Sequence, residues 1–591
     1  MDVINIDFKN KTKVVQETPK GSTAKKVVVS SVITLIVAAI LYYFMLPALN
    51  FKAIELYFYL GAILLTYIGV FGLLTKAYFR PEYTEYAKNK VKIPIILIIA
   101  LVAVVAIGYL VGAEIFRAKD YRDLITVQEG DFVKDITEID FTNVPLLDKD
   151  SSNAIATRTL GELSDYVSQF VINETYSTQV NYKGKPVRVH TLDYGDIFKW
   201  FKNTGEGIPA YIIVNMTTED NDTTNLEGQL VRLEKPMKFS PSEHFNEYLM
   251  RHVRFKYPTL LLGTPSFEID DNANPYWIVP VEDRKIGLFG GRDLIGAILV
   301  DAVTGETTLI STSLNGETKL NTTEFVTDEK YQWIDHIYSA SILNEQYNYY
   351  GKYINGFWNS LIGQSDVRIT SSGYNYLALN DDVYMYTGVT SISSDESIIG
   401  FVLINQRTKE AKYYQQAGAL EETARTSAQG KLQQYGYTAT FPLLLNVGGE
   451  PTYFMSMKDA SQMVKMYTMV NVERSTIVGE GKNPRECMES YIAELAKNGV
   501  YVDVEIELPE EPTPDKPAVE YVDVTGAIES ISSATTGGET YFYIKLVDNP
   551  AYYKVAFSKA EKAVLLKAGD TVTVVVEKDA TGEIIAITEL K

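Results

Sequence analysis

Three long apolar runs near the amino terminus constrain this chain more than any other feature. They cover residues 27–46, 56–74 and 93–112, and none of them contains a charged residue. A bilayer core about 30 Å thick is crossed by ~20 apolar residues at helical rise. No small-residue cleavage site follows the first run, and two more runs come after it, which is unlike a cleaved signal peptide. The sequence therefore predicts a three-helix membrane anchor over residues 27–112.

Basic residues beside the runs predict the orientation of this anchor. Six lysines precede the first run and five Lys or Arg residues lie between the second and third, whereas only Lys52 lies between the first and second. Short segments rich in Lys and Arg stay in the cytoplasm. We therefore expect a multi-pass protein of the cell membrane, with residues 1–26 cytoplasmic and residues after about 113 extracytoplasmic. Because the runs lack titratable groups, a proton or ion pathway through them is disfavoured.

Two glycines four residues apart, Gly108 and Gly112, lie in the third run. A small residue at each of these positions lets another helix approach closely, which predicts helix packing and a possible homo-oligomer. The alternative is a pair of ordinary glycines at a helix end.

Composition excludes several classes of function. The 591 residues carry a formal charge of −20, which disfavours binding to nucleic acid or to an anionic membrane surface. The single cysteine, Cys487, excludes an intramolecular disulfide. The chain has no dinucleotide-binding loop, Walker sequence, GxSxG or HExxH. We therefore expect no cofactor and no enzymatic activity, although a catalytic set assembled from distant residues would escape this reading.

Internal similarity organises the region beyond the anchor. The stretches YWIVPV (276–281) and IGAILVDAVTGETTLI (295–310) match VYMY (383–386) and IGFVLINQRTKEAKYY (399–414). Helix-like segments precede such units at 241–252 and 420–434. The repeated unit is therefore predicted to be a helix followed by an antiparallel meander, in at least two copies, with a degenerate copy near 211–233.

These repeats resemble PEPSY-type domains, which are found outside bacterial cells. The resemblance covers roughly residues 205–475 and rests on the turn at 301–306. The second copy departs from it, with Asn405, Thr408 and Lys409 in place of Asp301, Thr304 and Gly305. The whole arrangement looks like uncharacterised membrane proteins of Gram-positive-type bacteria, a resemblance that implies no activity.

The last part of the chain reads as a separate module. A Pro- and Glu-rich linker at 509–518 precedes five strand candidates with a helical stretch between the third and fourth, which is the order of an OB-fold. We expect a small β-barrel here, with Tyr541 and Tyr543 available for contact with protein or glycan. The predicted α+β fold thus divides into residues 1–26, 27–112, 113–204, 205–380, 381–508, 509–518 and 519–591.

Two acidic loops are calcium candidates. One contains Asp220 and Asp222, and the other contains Asp270 and Asp271. Crowded oxygen ligands suit calcium, but Asp also favours solvated turns for backbone reasons.

Aromatic side chains are the remaining candidates for binding. Trp358, Tyr374, Tyr376, Tyr384 and Tyr386 fall in two tyrosine-rich segments. Tyrosine offers rigid apolar area with a polar tip, which suits interfaces and sugar faces, whereas core packing is the alternative.

These features together predict a non-enzymatic scaffold, assembly or sensor protein, anchored in the bilayer, whose outer domains bind a protein or cell-wall partner. The alternatives are an accessory subunit of a transporter or secretion complex, and a cell-envelope hydrolase with an unrecognised site.

Overall fold

A computed structural model describes residues 17–136, 144–162, 164–217, 228–310, 329–379, 382–392, 397–502, 521–536, 539–557, 560–578, 584–587 and 589–590. The predicted calcium ligands Asp220 and Asp222 and the predicted linker 509–518 lie outside these residues. The predicted mixture of helices with antiparallel sheets is confirmed. The chain divides into two compact units, Met1–Val504 and Glu505–Lys591.

The three apolar helices predicted at the amino terminus are confirmed. They are α1 (Thr23–Met45), α2 (Ile54–Thr75) and α3 (Thr84–Val111), and among the described residues these three are long and apolar enough to cross a membrane. A short 3-10 turn, Pro81–Tyr83, precedes α3. The large apolar side chains on these helices face outward rather than into a core, which is the arrangement that lipid requires. The chain then continues through α4 (Glu114–Arg122), β1 (Val127–Glu129) and α5 (Phe132–Asp135).

Four sheets in the described part of the first unit share one connectivity. In each of them two short strands both pair with a long third strand, which pairs with a fourth, and the fourth pairs with a fifth. All these pairings are antiparallel. A helix precedes each sheet. We name these four helix-and-sheet sets the first to fourth repeats.

The first repeat contains α6 (Lys149–Gly161), α7 (Ser164–Val167), β2 (Phe170–Ile172), β3 (Thr178–Tyr182), β4 (Lys185–Tyr194), α8 (Ile197–Asn203), β5 (Ile208–Asn215) and β6 (Gly228–Met237). The second contains a 3-10 turn (Phe245–Glu247), α9 (Leu249–Lys256), β7 (Leu261–Leu262), β8 (Ser266–Ile269), β9 (Pro275–Ile286), β10 (Gly290–Asp301) and β11 (Thr307–Ile310).

The third repeat contains a 3-10 turn (Glu329–Tyr331), α10 (Ala340–Lys352), α11 (Gly356–Leu361), β12 (Arg368–Thr370), β13 (Asn375–Leu379), β14 (Asp382–Ser391), β15 (Ser397–Ile398), β16 (Gly400–Asn405) and β17 (Ala411–Tyr414), with β1 added in parallel to β17. The fourth contains β18 (Gly418–Ala419), which pairs with β15, then α12 (Glu421–Lys431), a 3-10 turn (Gln433–Tyr435), β19 (Thr438–Ala439), β20 (Leu443–Val447), β21 (Glu450–Lys458), β22 (Val464–Asn471), β23 (Val478–Gly481) and α13 (Pro484–Lys497).

One backbone hydrogen bond recurs in all four repeats. The residue after the fourth strand accepts an N–H from the segment before the helix of the same repeat. The pairs are Leu146 to Met216 at 2.7 Å, Phe239 to Ala302 at 3.0 Å, Tyr338 to Gln406 at 2.8 Å and Ala419 to Val472 at 2.8 Å. This bond fixes where each helix begins relative to its sheet. The helix and the sheet are therefore joined at the same point in all four repeats.

Polar side chains start several of the helices. Asp148 accepts from Ser151 N–H ahead of α6, and Ser339 accepts from Ile342 N–H ahead of α10. Such caps satisfy backbone donors that have no partner within the helix. The helices then bury one face against shared cores. One core cluster joins the second and third repeats through Ile278, Leu343, Met385 and Val402, among others. These two repeats therefore share one hydrophobic core, and each stabilises the other.

The second unit is a single six-stranded sheet in the described residues. Its strands are β24 (Tyr521–Thr536), β25 (Glu539–Leu546), β26 (Tyr552–Ala556), β27 (Thr571–Glu577), β28 (Ile584–Ala586) and β29 (Glu589–Leu590), with a 3-10 turn at Glu561–Leu565. The order is β28-β26-β25-β24-β27-β29. Its core contains Ile544, Tyr553 and Val574.

Candidate functional site

A cavity of about 620 Å³ lies where the first three repeats meet. The first repeat contributes the segment at 147–150, the segment at 175–179 and Arg188. The second contributes 263–266 and parts of β9 and β10, and the third contributes 336–342 and 374–376. Phe441 adds a wall from the fourth repeat. Because the walls come from segments far apart in sequence, no single motif encodes this site.

Arg188 on β4 is the charged group most buried in the cavity wall, with 5% of its surface exposed. Its Nη1 donates to Ser177 O at 3.4 Å and its Nη2 donates to Gln179 Oε1 at 3.3 Å. Its Nε has no hydrogen-bond partner in the described part of the chain. Burial lowers the pKa of Arg188, but a guanidinium stays charged in proteins. The cavity wall therefore holds a desolvated cation.

Lys149, the first residue of α6, lies at the exposed rim of the same cavity. Desolvation, and then the charge of Arg188, lower the pKa of the Lys149 amine. The two cations therefore lie near each other in the cavity wall, where Asp148 and Asp150 flank Lys149 in the sequence.

Two tyrosines that the sequence analysis singled out meet at this cavity. Tyr374 and Tyr376 line it, with ring centroids 5.6 Å apart. The ring of Tyr376 lies 5.9 Å from that of His336, which is also in the wall. Burial, and then Arg188, lower the pKa of His336 to about 3, so this imidazole is neutral at neutral pH. The wall is therefore aromatic and polar, and its charged side chains are of both signs. They are Lys149, Arg188, Arg292, Asp148, Asp150 and Glu282.

The other predicted aromatic contacts lie elsewhere. Tyr386 is fully buried and packs on Phe401, with ring centroids 6.0 Å apart, so it belongs to the core. Tyr384 is half-buried on β14, and Trp358 is exposed on α11. In the second unit, Tyr541 and Tyr543 are half-buried on β25, where Lys554 Nζ lies 4.1 Å from the centroid of the Tyr541 ring.

The described calcium candidates form a turn between β8 and β9. Asp270 accepts the backbone N–H of Asn272 at 2.9 Å and of Asn274 at 2.8 Å, and the Asn274 amide at 2.9 Å. Asp271 is exposed beside it. The Asp270 carboxylate thus stabilises a turn, which is the alternative that Asp residues favour. A search of the described ranges for three or more clustered His, Cys, Asp or Glu side chains suited to a metal ion finds none.

Two buried acids join the repeats beside the cavity. Glu268 begins the acidic loop that was a calcium candidate, and Asp335 is one that sequence reasoning missed. Glu268 accepts the N–H groups of Asp335 and His336 at 3.0 and 3.2 Å, and Asp335 accepts Asn181 N–H at 2.6 Å. Burial raises the pKa of Glu268 to about 7 and the pKa of Asp335 well above its usual value. Both carboxyls therefore hold backbone groups of neighbouring repeats, and neither lines the cavity.

The second repeat contacts the carboxyl end of α1. Arg251 Nε donates to Tyr43 O at 2.9 Å and Arg254 Nε donates to Leu46 O at 3.0 Å, so α9 caps the end of α1. Lys52, between α1 and α2, pairs with Asp283 at 2.7 Å. These contacts are polar and directional, and they fix the repeats relative to the anchor.

Gly108 and Gly112 face the tip of the β9–β10 hairpin. A Cβ on Gly108 would lie 2.7 Å from the Phe289 ring, and one on Gly112 would lie 3.3 Å from Ile286 O. Both glycines thus permit the close approach that the sequence predicts. In the described residues, however, a hairpin of the second repeat makes this approach, rather than another helix.

No protein-family model, curated protein or solved structure matches this chain.

Proposed function

We propose that this protein is a non-enzymatic, membrane-anchored binding protein, a scaffold, assembly factor or sensor, whose repeats lie outside the cytoplasm. The cavity between the first three repeats is its binding site. The observation that supports this proposal most is the buried Arg188, which forms no ion pair within the described residues and lines the cavity together with Tyr374 and Tyr376. A closed structural core would be expected to pair such a cation or to replace it with an apolar side chain.

The contacts between α9 and α1 favour a role in which the cavity is held rigidly above the bilayer. The second repeat contributes both to the cavity wall, through Pro280 and Glu282, and to the membrane junction, through Lys52–Asp283. The same strand, β9, therefore contacts both the cavity and the anchor, so binding in the cavity can affect the membrane junction directly. Such a connection suits a sensor or an assembly platform.

We also propose finer fold assignments. The shared connectivity of the four repeats supports PEPSY-like domains, and extends the two predicted copies to four. For the second unit, β28 pairs in parallel with β26 while β29 pairs with β27, at the opposite edge of the sheet. Because β28 and β29 follow each other directly in the chain, the two edges of the sheet must lie close together. This arrangement supports a small barrel of the OB type.

Site-specific crosslinking in native membranes tests the proposed function. A photo-crosslinking residue replaces Tyr374 in the cavity, and in the control replaces Tyr435, whose side chain is 54% exposed on a 3-10 turn of the fourth repeat. We expect mass spectrometry to identify a crosslinked protein or cell-wall fragment at position 374 and not at 435. The same products at both positions, or none at 374, would contradict the proposal.

A further inference from the structure

Acidic side chains around the cavity are already paired. Asp148 accepts from Lys458 Nζ at 2.6 Å, and Glu282 accepts from Arg284 Nη1 at 2.9 Å. Arg292, the third basic residue of the wall, pairs with Glu345 at 2.8 Å. Arg188 and Lys149 are thus the two cations of the cavity lining for which no ion pair forms within the described residues.

Of the two, Arg188 is the buried one, and the charges of Asp148 and Asp150 act on it only from beyond ion-pair distance. The sequence has 75 acidic and 55 basic residues, so carboxylates are in excess. A buried charge is retained at a cost unless something compensates it. Arg188 lines the cavity, so an anion entering it would place a compensating negative charge beside this guanidinium.

We propose that the cavity binds the carboxylate or phosphate group of its ligand, with Arg188 as the inner contact and Lys149 at the rim. This inference rests on the proposed function, because it names the ligand chemistry of the same site. Tyr374 and Tyr376 then contact the body of the ligand, since tyrosine presents an apolar face with a polar tip.

Calorimetry on the full chain in detergent tests this inference with three probes: glucuronate, inorganic phosphate and glucose. Glucuronate and glucose differ chiefly in one carboxylate, and phosphate separates the two anion classes. We expect at least one anion to bind the wild type while glucose does not. Arg188→Gln should weaken that binding at least ~10-fold, because it removes the buried partner of a charge pair.

Lys431→Gln is the matched control, since it removes one charge at an exposed position of α12. It should bind as the wild type does. If Arg188→Gln fails to fold, Lys149→Gln decides, with an expected weakening of ~3-fold for a rim charge. Absence of anion binding, equal binding of glucose, or unchanged affinity in the folded Arg188 or Lys149 variant would overturn the inference. The crosslinks at Tyr374 can persist in that case, so the two failures are distinguishable.

A second inference concerns a different surface, an aromatic patch at the outer end of α1. Phe198, Phe201 and Phe245 are 79%, 62% and 58% exposed. Phe201 and Phe245 line a groove with Ile197, and the groove also contains Tyr43 and Phe44 of α1. Phe198 lies on the same short helix, α8, outside the groove lining. The groove is rigid beneath, because Trp200 is buried and donates to Glu243 Oε2 at 2.7 Å.

Continuity with a membrane helix indicates what covers this patch. Tyr43 and Phe44 lie in the last turn of α1, at the level where interfacial aromatic residues are enriched. Lys199 and Lys202 alternate with the exposed phenylalanines on α8, so the helix presents both apolar and basic side chains, as interfacial helices do. We infer that α8 and Phe245 lie in the headgroup region of the outer leaflet, so that the first repeat contacts lipid directly.

Depth-dependent quenching tests this contact. A cysteine at position 198 or, as control, at the exposed position 435 is labelled with an environment-sensitive dye, and the full chain is placed in phosphatidylcholine–phosphatidylglycerol nanodiscs. The native Cys487 is buried, and the protein without an added cysteine measures its background labelling. We expect lipid-borne nitroxide to quench the dye at 198 and not at 435. The inference would be overturned if an aqueous quencher quenched the dye at 198 as strongly as the dye at 435. It would also be overturned if the quenching at 198 vanished on dilution with unlabelled protein, because contact between labelled copies would then be its source.

Discussion

The turns that join the last two strands of the second and third repeats have the same backbone but contact different neighbours. The Asp301 and Asn405 side-chain oxygens each accept two N–H groups, and the Thr304 and Thr408 hydroxyls each accept one. The distances are 2.8, 2.9 and 3.2 Å in both turns. The fifth residue is left-handed in both, with φ of 73° at Gly305 and 63° at Lys409.

Their surroundings separate the two turns. The first turn packs on its own repeat, where the His252 ring donates to Gly305 O at 2.7 Å. The second turn reaches outward, because Lys409 pairs with Asp293 of the second repeat at 2.8 Å and donates to Leu124 O at 2.9 Å. Equivalent positions thus have the same backbone conformation, whereas their side chains determine which part of the molecule each turn contacts.

Replacing Arg407 should have the largest effect. Its guanidinium pairs with Asp382 and donates to Gln332 O at 2.6 Å, and it is buried, whereas the equivalent Val303 is half-buried. Arg407→Met leaves the half-buried Asp382 carboxylate without its cation, which should cost about 3 kcal/mol of unfolding free energy. Thermal unfolding of the full chain measures it. Val303→Met is the control and should lower the unfolding free energy far less. Equal losses in the two variants would show that the two turns do not differ in their contacts as proposed.

Gly305→Ala should have the next largest effect. The new methyl group would overlap the Phe239 ring, and alanine disfavours φ of 73°. We expect a loss of about 2 kcal/mol in unfolding free energy. A shift in the unfolding temperature no larger than that of a surface alanine would mean that the ring yields at little cost.

Asn405→Asp and Asp301→Asn should behave asymmetrically. The Asn405 amide donates to Asp382 Oδ2 at 2.9 Å, so an aspartate there would face another carboxylate. Two such acids raise each other's pKa in the folded state. The resulting destabilisation, about 1 kcal/mol at pH 7, should therefore disappear as the pH falls towards about 4. Asp301→Asn keeps its acceptor oxygen and should be neutral; equal effects of the two exchanges would be inconsistent with this asymmetry.

Lys409→Gly should have the smallest effect. Glycine relieves the left-handed backbone, while the substitution removes the ion pair with Asp293. These contributions oppose each other, so we expect a net change within about 1 kcal/mol. Asp293→Asn supplies the second arm of a double-mutant cycle. A large loss in Lys409→Gly alone would show that the pair dominates.

Parts of this architecture follow from sequence because their signals are local. The apolar runs predict α1 to α3 to within a few residues at most ends, although α3 begins nine residues before its run. The turns at 301–306 and 405–410 predict two related hairpins because their Asp or Asn and Thr side chains bond within the turn. The cavity tyrosines Tyr374 and Tyr376 stand out by density alone.

Other parts depend on contacts that no local pattern encodes. At the positions of Asp301 and Thr304 the first repeat has Asn215 and Thr218 in its sequence, and the fourth keeps only the Asn, Asn471. One or two matching residues do not reveal a repeat, so the kinship lies in strand pairing and in the recurring backbone bond. Arg188 lies between Val187 and Val189 on a strand, and its importance arises only when three repeats meet around it. Likewise, the partner of Gly108 is a hairpin about 180 residues away.

The central claim is that three membrane helices carry the repeats to the outer side of the bilayer. Membrane-impermeant maleimide tests it on two exposed positions, Ser461→Cys in the fourth repeat and Lys88→Cys before the third apolar run. In intact cells stripped of wall, we predict labelling at 461 without lysis and labelling at 88 only after lysis. Labelling at 88 in intact cells, with 461 protected until lysis, would contradict it.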